Sequence, residues 1–344
     1  MDFDSLFKLP IVQGPMAGGA TTPELVAAVS NAGAVGSLAG SLLSPAVLRT
    51  QVERIRGLTD QAFLLNFFVQ KTPAPSKEEV ARGAELLRPV WESLGWTELP
   101  QPASWCEDFD AQFETLLELR PAAASFTFGI LDAIQVERLH AAGILAIGTV
   151  TTVEEALAWQ AIGADAVVAS GIEAGGHRGT FIGRQEDATL DARALWPAVV
   201  GAVRIPVIAA GGIMDGSDIG AALALGAKAV QMGTAFLVTE ESGIHPAYKQ
   251  RLVAAEGEPT RLTRSFSGRY ARGIENRFMR QMADVEVQVP PYPIQNALTG
   301  SIRAAAAKAN DTELMSLWAG TGVARARPMP AARLVELLVS ELRS

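Results

Sequence analysis

A single cysteine, Cys106, excludes an internal disulfide and any zinc or iron–sulfur site built from several cysteines. Alone, it reads as a small, partly buried hydrophobe. No apolar run approaches the ~18 residues that span a bilayer, because Gly, Asp or Pro interrupts the richest stretches. A basic stripe is also missing. The 29 Lys and Arg are scattered and outweighed by 37 Asp and Glu, which sets nucleic acid and other polyanions aside as partners. The opening residues MDFDSLFKLPIVQG are acidic where a secretory signal is basic, and Lys8, Pro10 and Gln13 break their apolar stretch. These absences point to a cytoplasmic protein that works without a membrane.

What is present is material for one large core. With 49% apolar and 19% charged residues, 344 residues suit a single α/β domain with an extension. Short β-branched or apolar runs alternate with longer segments of helical period, the pattern of a parallel sheet joined by crossover helices. Candidate strands lie at 11–17, 35–39, 63–69, 122–128, 144–150, 166–170, 206–210 and 229–236. Eight is the number that closes a (β/α)8 TIM barrel, which is the fold class expected. Thr22-Pro23-Glu24 reads as a helix start, and Thr152 with Glu155 as a capping box. Gly33, Gly143, Gly163 and Gly226 fall where helices turn back into strands.

Two stretches break the repeat. Residues 70–108, with Pro-rich runs and three tryptophans, are too long for a simple connection and read as an elaboration after the third strand. From about 238 onward helical segments alternate with irregular runs such as Val-Pro-Pro-Tyr292-Pro. The expected division is a barrel over 1–240 and a C-terminal helical cap region over 241–344 packing on the barrel, with the eighth barrel helix also expected after about 238, before a cap over the barrel mouth.

Active sites of such barrels form at the C-terminal ends of the strands, with phosphate groups often bound after strands seven and eight. Strand seven ends in Ala-Ala-Gly211-Gly212, and strand eight carries Gln231, Met232, Gly233 and Thr234. Glycines there let backbone N–H groups approach phosphate oxygens, and a helix opening near Asp215-Gly216-Ser217 adds its dipole. Tight turns alone would also use these glycines; two such sites at adjacent strand ends favour a phosphate-bearing ligand. The loop Gly-Ile-Glu-Ala-Gly175-Gly176-His177-Arg178-Gly-Thr follows strand six and opens at the same mouth. It brings backbone and a titratable ring against a ligand, so His177 is the candidate catalytic residue, as proton acceptor or as hydrogen-bond donor to an anion. His140 and His245 read as structural. Asn66 interrupts an apolar strand and needs a partner, either a flavin edge or a neighbouring loop. Gly14 and Met16 close strand one and can lie beside a flat ring.

The segments QGPMAGG, SFTFG, GIEAGGHRGTF, PVIAAGGIMDG and QMGTAF, with NRFM and PYPIQNALT, occur in the order found in nitronate monooxygenases. The chain resembles that family, formerly called 2-nitropropane dioxygenases, nearly end to end. The resemblance implies FMN on a TIM barrel, no metal, and oxidation of nitronates such as propionate 3-nitronate with dioxygen to a carbonyl product and nitrite. It implies His177 as the active-site histidine. For the flavin it implies Gly14, Met16, Asn66, Ser170, Gly175, Gly176, Gly211, Gly212, Gln231, Met232, Gly233 and Thr234. Thr127 and Tyr292 are the implied substrate contacts. Thr127 stands where some members carry a second histidine, and Ser170 where some carry glutamine. A homodimer is compatible with this reading. The rival reading is an FMN-dependent NAD(P)H:quinone or enoyl-thioester reductase on the same barrel, which shares the phosphate loops.

Overall fold

The computed structural model describes residues 2–257 and 259–344. Among the described residues eleven strands occur in chain order: β1 Ile11–Gln13, β2 Gly36–Ala39, β3 Phe63–Phe68, β4 Ala123–Thr127, β5 Leu145–Val150, β6 Ala166–Ser170, β7 Gly176–His177, β8 Val207–Ala210, β9 Ala229–Met232, β10 Thr260–Thr263 and β11 Ala271–Ile274. Eight of them form one parallel sheet in the order β1-β9-β8-β6-β5-β4-β3-β2. A bridge between Val12 and Val35 joins its ends. At that seam the Gln13 side chain accepts from Ser37 N–H at 3.0 Å and donates to Ser37 O at 3.2 Å. The TIM barrel expected from the eight runs is therefore present. Two strands fall well short of their apolar runs: β1 stops before Gly14-Pro15, and β9 stops at Met232 because Thr234–Leu237 turns helical.

Period-two alternation sorts the strand residues into two layers. Leu65, Phe67, Phe126 and Met232 point outward and are buried against helices, in the same core as Leu25, Leu48 and Trp159. Each such side chain contributes about 1.5–3 kcal/mol by leaving water. Val12, Val35, Leu64, Leu145, Ile147, Val168 and Ile208 fill the barrel interior, together with Phe3 and Leu6 from the N-terminal segment. Continuing the inward alternation to the C-terminal strand ends places Gly14, Asn66, Ser125, Thr127, Thr149, Ser170 and Gln231 around one ring. The interior thus changes from apolar to polar along the barrel axis.

A second core lies beyond those strand ends. Leu87, Val90, Trp91 and Leu99 of the 70–108 elaboration pack with Leu252, Phe266, Phe278, Leu298, Ile302 and Leu317. The elaboration and the later insertion therefore form one roof. The eighth barrel helix, expected after about 238, comes from the far end of the chain. Helix Ala331–Arg343 lies against helices Gly216–Ala224 and Pro23–Asn31, and buries Leu334, Val335 and Leu338 in the barrel's own core. It takes the place of the eighth barrel helix, so the roof insertion ends before Ala331. Gly216 makes this contact close: a Cβ there would sit 2.3 Å from Leu342 N.

Candidate active site

The floor of the site is the polar ring. Asn66 is buried and its Nδ2 donates to Ser125 Oγ at 2.9 Å, Ser125 O at 3.2 Å and Thr127 Oγ1 at 3.3 Å. Its Oδ1 meets no donor among the described residues, so the acceptor end is left for a ligand. Thr127 Oγ1 also bonds Thr149 Oγ1 at 3.2 Å. Gly179 passes so close above this pair that a Cβ there would lie 3.1 Å from Thr149 Cγ2. Thr127 therefore supports Asn66 from below the loop. The Gln231 amide bonds to no group of the described chain.

Backbone donors stand beside this ring. Among the described residues the N–H groups of Gly212, Gly233 and Thr234 meet no acceptor. Gly211 and Gly212 adopt φ of +116° and +74°, which side-chain-bearing residues rarely take. A polar ring with one free carbonyl and one free amide, next to bare N–H groups, fits a ligand that joins a flat hydrogen-bonding ring to a phosphate. Two details of the sequence reading change. The helix opening at Asp215 is already capped: Asp215, Asp218 and Glu341 accept from Asp218 N, Met214 N and Gly216 N. Its dipole is not available to a phosphate. Met232 packs its side chain outward and offers only backbone, its carbonyl accepting from Gly14 N at 2.8 Å.

His177 is held over this floor by the roof. The loop after β6 does not stay irregular: β7 pairs antiparallel with β11, His177 opposite Ala271. Gly175 makes the crossing possible, since a Cβ there would lie 2.5 Å from Gly320 N and 2.6 Å from the Ala319 carbonyl carbon. Loop 178–182 is tied down from behind. The buried Glu155 carboxylate accepts from Thr151 N at 2.6 Å, Ile182 N at 3.0 Å and Phe181 N. The expected capping box is thus half formed, with Thr152 receiving Glu155 N while the carboxylate serves the active-site loop. Arg178, buried beside His177, donates to the carbonyls of Ser170, Gly171 and Ala188 at 3.1, 2.6 and 3.0 Å. It stitches the loop to β6.

The imidazole sits in an aromatic cage. Its ring centre lies 5.5 Å from Phe128, 5.7 Å from Tyr292 and 5.4 Å from Trp318. Phe128 stacks on Phe68 at 4.1 Å and holds a left-handed backbone, φ +77°, a strain that often marks functional positions. His177 Nε2 lies 2.9 Å from Ser267 Oγ, whose proton is also within reach of Arg269 O at 3.0 Å. Burial, then the Arg269 charge, then that of Arg303 lower the imidazole from its usual 6.5 to about 3. Neither arginine pairs with a carboxylate among the described residues. Arg269 donates to Arg178 O and Thr180 O and lies 4.2 Å over the Phe128 ring, while Arg303 donates to Asn296. Burial draws both guanidinium groups down to about 10, so both stay charged at neutral pH.

The sequence-predicted residues Gly14, Asn66, Thr127, Ser170, Gly212, Gln231, Gly233 and Thr234 cluster at the strand ends. Tyr292 reaches them from the roof, and Met16 is half-buried beside Gly233, its Sδ 3.9 Å from where a Cβ of that glycine would lie. Ser267, Arg269, Arg303 and Trp318 were not foreseen. A signal existed: Arg261, Arg264, Arg269 and Arg272 crowd twelve residues with no carboxylate between them.

The family model for nitronate monooxygenase matches residues 3–341. A probable nitronate monooxygenase of Bacillus subtilis is 42% identical over 325 residues, 94% of this chain and 93% of that protein. One from Staphylococcus haemolyticus is 40% identical, covering 98% and 95%. Among solved structures, a nitroalkane oxidase from Streptomyces ansochromogenes superposes with TM-score 0.91 at 45% identity, over 98% of this chain and 97% of that one. FabK from Thermotoga maritima gives TM-score 0.76 at 30% identity, over 99% and 94%. Matched along nearly its whole length, the chain belongs to the nitronate monooxygenase family, an enzyme family of flavin-dependent oxidoreductases.

Proposed function

We propose that the protein is a cytoplasmic FMN-dependent nitronate monooxygenase that oxidises alkyl nitronates, such as propionate 3-nitronate, with dioxygen to a carbonyl product and nitrite. The observation that carries this reading is the charge of the roof: Arg269 and Arg303 both act on His177 and neither forms an ion pair among the described residues, the buried Glu155 charge reaching Arg269 from behind the loop. An apolar, cationic chamber over polar strand ends favours a small anion with an apolar body. Gly14, Asn66, Ser170, Gly175, Gln231 and the N–H groups of Gly212, Gly233 and Thr234 would hold FMN. When bound, FMN supplies the acceptor for the nitronate's electron.

His177 has a role suited to an already ionised substrate. An imidazole lowered to about 3 is a poor proton acceptor at neutral pH, where a general base works best with a pKa near the operating pH. A nitronate needs no proton removed from carbon. The single Ser267 proton has two destinations, Arg269 O or His177 Nε2. In the first, Nε2 carries the imidazole proton and Nδ1 is a bare lone pair. In the second, Nδ1 carries N–H and donates to the anion. Nitronate binding selects the second state, and the aromatic cage excludes water from the reacting carbon.

The reductase reading rests on the phosphate loops, which both enzyme classes share. Oxygen uptake and nitrite release, measured together on the purified yellow protein, separate the two. Uptake and nitrite with propionate 3-nitronate, without flavin bleaching by NADH, is the expected result. Bleaching by NADH without nitronate turnover would replace it with a reductase.

A further inference from the structure

Phe128 and Tyr292, whose rings meet His177, also line a separate cavity of about 410 Å³ that His177 does not reach. Phe181 and Tyr270 complete its aromatic walls. Its charged groups do not cancel. Arg184 lies 3.7 Å from Glu186, so this pair is balanced. Arg264 and Arg269 form no ion pair among the described residues, although the buried Glu155 charge reaches Arg269. The half-buried Arg264 guanidinium bonds to no acceptor there at all; it lies 6.0 Å from the Tyr270 ring centre with its Nε shut away from solvent. A partly desolvated guanidinium without an acceptor is costly, and a bidentate carboxylate is its best-matched partner.

We propose that this cavity is a binding site for aromatic monocarboxylates, distinct from the reaction site over His177. The carboxylate bridges Arg264 and Arg269, and the planar ring packs among Phe181, Tyr270 and Tyr292. The unpaired Arg264 and the aromatic walls favour a carboxylate here whatever the substrate over His177.

Calorimetric titration of the flavin-loaded enzyme with benzoate tests it, with benzamide as the uncharged control. Benzoate is expected to bind at one site, with benzamide at least about tenfold weaker. Arg264→Gln raises the benzoate Kd about tenfold or more, Arg264→Lys recovers part of the loss, and His177→Asn leaves Kd within about twofold. Two results overturn the proposal: binding that His177→Asn abolishes and Arg264→Gln does not, which puts the carboxylate in the reaction site, or a wild-type enzyme that ignores benzoate or takes benzamide equally well. Binding heat is read without turnover, so failure of the nitronate assignment would leave this test intact.

Discussion

The floor and the roof of the site differ in origin and in charge. The floor comes from strand ends and is neutral, polar and assembled by a regular alternation along each strand. The roof comes from irregular insertions and is aromatic and cationic, with His177 fixed between Ser267, Phe128, Tyr292 and Trp318. The difference assigns tasks: a neutral ring of hydrogen-bonding groups suits a resident cofactor, and a chamber beside two arginines that form no ion pair among the described residues suits a passing anion. Floor variants should therefore affect flavin retention, and roof variants turnover.

The strongest break in this division is expected where the two halves touch. Gly175→Ala places a Cβ 2.5 Å from Gly320 N, against backbone that has no rotamer to yield. Flavin content and turnover should fall together, by about a hundredfold in turnover, as seen by absorbance at fixed protein concentration and by oxygen uptake. A smaller effect is expected inside the roof. Ser267→Ala removes the hydroxyl that directs the imidazole proton, so kcat with a nitronate should fall about tenfold with flavin unchanged, and Ser267→Thr should restore part of it. An equal loss of flavin would make Ser267 a structural residue only.

The roof's field also has a pH signature. His177 titrates near 3 in the folded protein against 6.5 unperturbed, because burial, Arg269 and Arg303 all oppose the proton. Above pH 6.5 folded and unfolded imidazoles are both neutral. As pH falls from 6.5 toward 3 the unfolded chain takes up a proton that the folded one refuses, and this contribution to stability is lost. Between pH 5 and 8 kcat/KM for a nitronate should show no imidazole break. Arg303→Gln should move the His177 titration upward, and NMR of the ring protons reads it. The smallest effect sharpens the floor: Met232→Leu replaces an outward side chain by one of similar volume, and flavin affinity should change by less than about twofold.

Sequence legibility follows the same division. The barrel was readable because parallel strands are short apolar runs between helices with ordinary start and stop signals, as at Thr22 and Gly33. Of the floor, Asn66 was readable because it interrupts an apolar run near its end, whereas Ser170 entered only through the family resemblance. The roof was not readable. Ser267, Arg303 and Trp318 lie far from His177 in the chain, and no local period encodes an approach made through a β7–β11 pair. The final helix misled for a related reason: its amphipathic pattern reads alike whether it covers a barrel wall or a cap, and chain order placed it after the cap. Glu155 satisfied a local capping rule while its carboxylate was used by a loop 26 residues away.

The division of labour is tested most directly by His177→Asn, with flavin content and nitrite-yielding oxygen uptake measured on the same sample. Full flavin occupancy is expected, with turnover lowered by about two to three orders of magnitude. Flavin and turnover lost in equal proportion would contradict it.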